Sequence, residues 1–346
     1  MIHFDSDYME GAHPKVMQRL LETNLEQTPG YGKDSYCEQA KTLIRKACGN
    51  DTLDIHFLVG GTQANTIVID ALLNHHEGVL AAETAHINVH ESGAIESCGH
   101  KVLQLPSHAG KVDAGEVQEF ITKFYEDETY EHMVAPGMLY ISYPTEYGTL
   151  YTREELSRLH QICRNANIPL YIDGARLGYG LASNASDITI SMLPALCDIF
   201  YIGGTKVGAM FGECIVANNG LLKHFFPLIK QHGALMAKGR LLGIQFSTLF
   251  TDGLYMNIAK HAIEMAMIIK NGFISNGYSP FIDSPTNQQF FTLPNALIDY
   301  LSSFATFEIW GNKGEHETTV RFVTSWATQK EHVELLIGKL NSYSNR

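Results

Sequence analysis

The sequence predicts an α/β fold: a mostly parallel central sheet sandwiched by helices, followed by a smaller C-terminal α+β domain. Three observations predict it. Between residues 14 and 245, helix-like segments alternate with short β-rich runs that end at glycine or a polar residue. Several of those runs are apolar almost throughout, as strands covered on both faces must be. After about residue 245 the alternation gives way to one long helix and then to runs of antiparallel character. We expect a large domain over 1–245 with an N-terminal arm, and a small domain over 246–346.

Pro14 to Leu21 reads as a helix, with proline at the first position, where its missing N–H costs nothing. Ser35 to Cys48 is a second helix. Asp54 to Val59 is a strand, and Gly60-Gly61-Thr62 turns it into a helix from Gln63 to Asn74. Gly78 to Ala82 is a strand, Ile87 to Glu96 a helical stretch, and Val102 to Leu105 a strand. Glu116 to Tyr125 is a helix and Met138 to Ser142 a buried strand. Thr152, with Glu155 three residues on, forms a capping box for a helix to Ala166. The strands Pro169 to Ile172 and Ile199 to Ile202 follow. Beyond them come a helix from Gly253 to Asn271 and an antiparallel sheet from Phe281, Phe290 to Leu293, Glu308 to Trp310 and Val320 to Thr324. Glu331 to Leu340 is a closing helix.

The 346 residues carry 25 Lys plus Arg against 37 Asp plus Glu, a formal charge of −12. Such a chain, without a basic run, is a poor partner for nucleic acid or an anionic membrane. No apolar stretch approaches the ~20 residues a bilayer requires, and Met1 to Asp7 lacks the pattern of a signal peptide. The six cysteines form no C-x-x-C pair and read as reduced thiols of a cytoplasmic protein. His86 and His90 lie four apart, but H-E-x-x-H is absent and no metal site is expected.

In an open α/β sheet, ligands sit beyond the C-terminal ends of the strands. Three motifs fall there. Gly60-Gly61-Thr62-Gln63-Ala64-Asn65 offers backbone N–H groups at a helix N-terminus, a cradle for an anion. Asp173-Gly174-Ala175-Arg176 puts a carboxylate at a strand tip, and Gly203-Gly204-Thr205-Lys206 puts a lysine among small residues at the same edge. Taken singly, they also fit a tight turn, a structural Asp–Arg pair and a surface lysine. Together they supply what pyridoxal 5'-phosphate needs: a held phosphate, a carboxylate for the ring nitrogen and an amine for the aldehyde. Glu83-Thr84-Ala85-His86 follows a further strand and could bring His86 over the ring.

With these motifs, and with Ser6-Asp7, Tyr31-Gly32 and Val320-Arg321-Phe322-Val323-Thr324-Ser325-Trp326, the sequence resembles the threonine aldolase/β-eliminating lyase family of fold-type I pyridoxal phosphate enzymes. The resemblance implies that Lys206 carries the covalent link to the cofactor, that Asp173 pairs with the ring nitrogen and that His86 stacks on the ring. Gly61 and Thr62 hold the phosphate, and Arg176 lies by the ring oxygen and the substrate carboxylate. Ser6 and Arg321 bind that carboxylate. Tyr31 and Arg240 reach across to a neighbouring subunit, which makes the protein a homodimer or homotetramer with active sites at the interface.

Two departures stand out. Many members have Glu-Asn-Thr-His where this chain has Tyr143-Pro144-Thr145-Glu146, so Glu146 replaces a histidine that touches the substrate hydroxyl; another branch shares the Thr-Glu. Gly60 stands where many relatives have serine. The implied reaction is retro-aldol cleavage of a small β-hydroxy-α-amino acid to glycine and an aldehyde, with His86, a water or Glu146 as base. Other β-eliminating lyase or aminotransferase chemistry on the same cofactor, and non-catalytic binding of an anionic metabolite, are the competing readings.

Overall fold

In the computed structural model, which describes residues 1–344, the strands in chain order are β1 (Ile2–His3), β2 (Asp54–Leu58), β3 (Glu77–Ala82), β4 (Lys101–Leu105), β5 (Ala135–Ser142), β6 (Leu170–Asp173), β7 (Ile199–Gly203), β8 (Glu213–Ala217), β9 (Pro280–Ile282), β10 (Gln288–Pro294), β11 (Ala305–Thr306), β12 (Glu308–Ile309) and β13 (Glu317–Val323). Seven of them form the large sheet, in the spatial order β2-β8-β7-β6-β5-β3-β4. All its pairings are parallel except those of β8, which runs against both β7 and β2.

The apolar runs are strands because both faces are covered. Every residue of β6, β7 and β8 is buried. Helices Gly61–Leu72 and Arg153–Asn165 contribute Ile67, Val68, Leu156 and Leu159 to the same core. Each fully buried aliphatic or aromatic side chain contributes roughly 1.5–3 kcal/mol. The capping box at Thr152 and Glu155 is present. The helical stretch expected over Ile87 to Glu96 is instead two short helices, His86–Val89 and Ala94–Ser97. Ser92 and Gly93, at φ 52° and 72°, break it. The helix Arg240–Leu249 and the strand β8 were not anticipated.

The small sheet is antiparallel, in the order β12-β13-β10-β9. β1 pairs in parallel with β11 through Ile2 and Ala305, and Phe4 joins Phe291 and Phe322 in a second core. The N-terminal strand is thus built into the C-terminal layer. Helix Leu254–Ser275 connects the two cores: Ile258 and Ala262 pack in the first, Met265, Ile269 and Phe273 in the second. Among the described residues no helix is long and apolar enough to cross a membrane.

Candidate active site

The ends of β2, β5, β6 and β7 and the start of β8 open onto one cavity of about 330 Å3. Of the residues expected from the sequence, Gly61, Thr62 and His86 line it. So do Glu146, Asp173, Arg176 and Lys206. The loops after β6 and before Lys206 pass in direct contact. A Cβ on Gly174 would lie 1.9 Å from the Tyr201 carbonyl oxygen, and one on Gly203 2.2 Å from that of Ala175. Only glycine fits at these crossings, which bring Asp173 and Lys206 to one place.

Asp173 is 4% exposed. Its Oδ2 accepts from Tyr140 Oη at 2.6 Å and Asn65 Nδ2 at 3.0 Å, and its Oδ1 from the Ala175 N–H at 2.9 Å. Burial pushes its pKa up, but the His86 charge and the hydrogen bonds from Tyr140, Tyr201 and Ala175 outweigh this and hold it below 3.8. The carboxyl is therefore ionised. It is not paired with Arg176, whose guanidinium is taken by Asp7, Nε to Oδ2 at 2.7 Å and Nη2 to Oδ1 at 3.0 Å. The structural Asp–Arg pair in this region is Asp7–Arg176.

His86 is fixed from two sides. Its Nδ1 lies 2.7 Å from Glu91 Oε1, and its backbone N–H donates to Glu146 Oε1 at 3.0 Å. The Glu91 carboxylate is wholly buried and also accepts from Asn65 Nδ2 at 2.7 Å. The helix break at Ser92-Gly93 puts it there. With Nδ1 engaged by Glu91, Nε2 is the ring nitrogen left without a hydrogen-bond partner in the site. Glu146 also accepts from Ser142 Oγ at 2.6 Å. Burial raises its pKa above 4.5 against these hydrogen bonds.

The helix Gly61–Leu72 starts with Gly60 as N-cap and no side-chain cap. Gly60, Gly61 and Thr62, at the start of this helix, line the cavity, and a helix N-terminus favours an anion. A Cβ at Gly60 would meet nothing within 4 Å, which leaves room there. Lys206 Nζ stands 5.8 Å from the centre of the Tyr8 ring. Burial, then the charge of Arg176, lowers its pKa below 10.5 against Asp7, Asp173 and Glu213. An uncapped helix end, an ionised buried carboxylate and an amine of lowered pKa are the donor set that pyridoxal 5'-phosphate requires.

Four expected residues stand outside this cavity. Ser6 lines a separate small pocket with Phe4 and Ser325; its neighbour Asp7 is the one that reaches the cavity wall, through Arg176. Arg321, on β13, pairs with Glu308 and donates to Gln288 Oε1 at 2.8 Å, with its guanidinium 5.0 Å from the Trp310 ring. Tyr31, at φ 60° and 44% exposed, lies under Lys230 Nζ. Arg240 donates to the carbonyls of Thr23 and Glu26. Sequence reasoning missed Asp7, Tyr8, Asn65, Glu91, Tyr140 and Glu213. Asn65 and Asp7 sat inside recognised motifs, and a carboxylate five residues after His86 was a usable signal for Glu91.

A family model described as β-eliminating lyase matches residues 3–272. A low specificity L-threonine aldolase of a Pseudomonas species is 28% identical over 98% of this chain and 97% of that protein. The solved structure of a Leishmania major threonine aldolase superposes with a TM-score of 0.96 at 38% identity, covering 99% of this chain and 100% of that one. An aspartate aminotransferase from Thermus thermophilus, at 12% identity and a TM-score of 0.71 over 99% of this chain and 91% of that one, shares the fold.

Proposed function

The chain belongs to the β-eliminating lyase family, and on that premise we propose that it is a pyridoxal 5'-phosphate-dependent aldolase. It cleaves L-threonine, L-allo-threonine or a related β-hydroxy-α-amino acid to glycine and an aldehyde. The observation that carries this reading is the convergence of Lys206, Asp173, His86 and the uncapped helix end at Gly61-Thr62 on one cavity.

The cofactor, when bound, supplies an aldehyde for an amine and a ring that takes up the electron pair left on Cα. The N–H groups of Gly61 and Thr62, with the Thr62 hydroxyl, hold its phosphate. Asp173 keeps a proton on its ring nitrogen. Lys206 is the amine, and its burial increases the neutral fraction that can act as a nucleophile. Arg321 and Arg176 bind the substrate carboxylate. Arg321 stands outside the cavity while it is paired with Glu308, and it reaches the carboxylate on releasing that partner. His86 Nε2 takes the proton of the β-hydroxyl, because Glu91 occupies Nδ1. Glu146 braces the His86 backbone in place of the histidine other members carry. Burial of Tyr140, Tyr171 and Tyr201 beneath Asp173 keeps water from the floor of the cavity.

The assembly we propose is a homodimer or homotetramer in the cytoplasm, with Tyr31 and Arg240 toward the neighbouring subunit. Incubation with L-threonine and L-allo-threonine tests the activity. Glycine and acetaldehyde in equal amounts are expected. 2-Oxobutyrate with ammonia would show elimination instead, and transfer of the amino group to an oxoacid would show an aminotransferase.

A further inference from the structure

Asn65 sits one turn into the helix Gly61–Leu72, four residues after Gly61 and on the same face. It is wholly buried. Its Nδ2 donates to Glu91 Oε1 at 2.7 Å and to Asp173 Oδ2 at 3.0 Å, and its Oδ1 accepts from Tyr171 Oη at 2.9 Å. Both N–H groups of the amide are thus spent on carboxyls from elsewhere in the chain, one 26 residues away and the other 108. Only one orientation of the amide serves. Turned over, its oxygen would face two carboxyl oxygens, which have no proton to offer it. Tyr171 is buried, and burial keeps its hydroxyl protonated and able to donate to Oδ1.

These bonds continue to the base. His86 Nδ1 lies 2.7 Å from the same Glu91 Oε1. An unbroken chain of hydrogen bonds therefore runs from the imidazole through Glu91 and Asn65 to Asp173. The two carboxyls depend on the amide unequally. Asp173 keeps Tyr140 Oη at 2.6 Å and the Ala175 N–H at 2.9 Å without it. Glu91 is held at Oε1 alone, because its Oε2 is buried with no hydrogen-bond partner among the described residues. Loss of the Asn65 amide would leave the Glu91 carboxyl with His86 as its one partner among those residues. A buried carboxyl so poorly satisfied does not hold its place.

We infer that Asn65 is a positioning residue for the reaction: through one amide it fixes Glu91 against His86 and ties both to Asp173, so that the base and the carboxyl for the ring nitrogen are set as a unit. The same helix presents Gly61 and Thr62 to the phosphate. One rigid element therefore sets the cradle, the carboxyl and the base. This inference rests on the aldolase reading above, in which His86 takes the proton of the β-hydroxyl.

The test is a double-substitution cycle of Asn65→Ala and Glu91→Gln in the full-length protein, read in two states. In protein freed of cofactor, acylation of His86 by diethyl pyrocarbonate at one fixed pH is followed by peptide mass spectrometry. The ring lines the cavity and its side chain is 37% exposed, so the reagent reaches it. The rate in Glu91→Gln departs from the wild type by about threefold or more, Asn65→Ala departs in the same direction, and the double variant goes no further. In the loaded protein with L-allo-threonine, Asn65→Ala lowers kcat by about tenfold to a hundredfold with KM within about twofold, and the double variant loses no more than the larger single loss. A wild-type acylation rate in either single variant, or losses of kcat that multiply as those of a merely structural defect would, overturns the proposal. If Asn65→Ala does not fold, Tyr171→Phe carries the test. It removes the hydroxyl that orients the amide and moves the acylation rate the same way by a smaller factor, whereas an unmoved rate overturns the proposal. Aldehyde release by the wild type is scored separately. Its absence overturns the aldolase reading, while the acylation cycle still decides the link from Asn65 to His86.

Discussion

Asp7 and Arg176, 169 residues apart, meet through two hydrogen bonds of 2.7 and 3.0 Å, with the carboxylate wholly buried. The pair ties the N-terminal segment to the loop after β6 and holds a guanidinium at the cavity wall. Asn287 Nδ2 adds a third donor at 2.9 Å. Removing one partner of a buried pair strands the other, so Asp7→Ala is expected to cost about 3–5 kcal/mol in denaturant unfolding. A loss under 1 kcal/mol would show that the pair is solvated in solution.

The same carboxyl sets a pH dependence. Burial raises its pKa, but Arg176 and Lys206, with the hydrogen bonds from Arg176 and Asn287, hold it below 3.8. Its unfolded value is close to 3.8. The contribution to stability is therefore complete above that value and is lost as pH falls through the lower folded one. Acid titration of unfolding should show Asp7→Asn losing less stability than the wild type below about pH 4. Parallel curves would remove Asp7 from the account.

Glu91→Gln leaves a hydrogen-bonding group beside His86 but withdraws the carboxylate that fixes its tautomer. A correctly held general base is worth about 10²–10⁴-fold. We expect kcat to fall by about tenfold to a hundredfold with KM little changed, measured on L-allo-threonine across pH. A change confined to KM would point to a binding role instead.

Arg321 is engaged by Glu308 on the adjacent strand. A charged hydrogen bond to substrate contributes about 1.5–3 kcal/mol, so Arg321→Ala should raise KM by about tenfold to a hundredfold. Glu308→Gln frees the guanidinium and should lower KM by a few-fold. Unchanged KM in Arg321→Ala removes it from the carboxylate site.

The parts of the site legible in the sequence were those in which the chain leaves a strand and turns through small residues: Gly60-Gly61-Thr62, Asp173-Gly174 and Gly203 to Lys206. At Gly174, Gly203 and Gly204 the cause is close backbone approach, whereas Gly60 leaves open room beside the helix end. Glu213 was hidden because β8 runs backwards and offers its first residue where the others offer their last. Glu91 was hidden because the Ser92-Gly93 break turned an expected helix face into a buried contact. Asp7 was hidden because its partner Arg176 lies 169 residues away, and a side-chain pair across that distance leaves no local trace.

The covalent attachment at Lys206 is tested most directly by borohydride reduction of the cofactor-loaded protein, followed by peptide mass spectrometry. A phosphopyridoxyl mass on the peptide that contains Lys206, and its loss in Lys206→Ala together with turnover, is the predicted result. An unlabelled Lys206, or a label on another lysine, would contradict it.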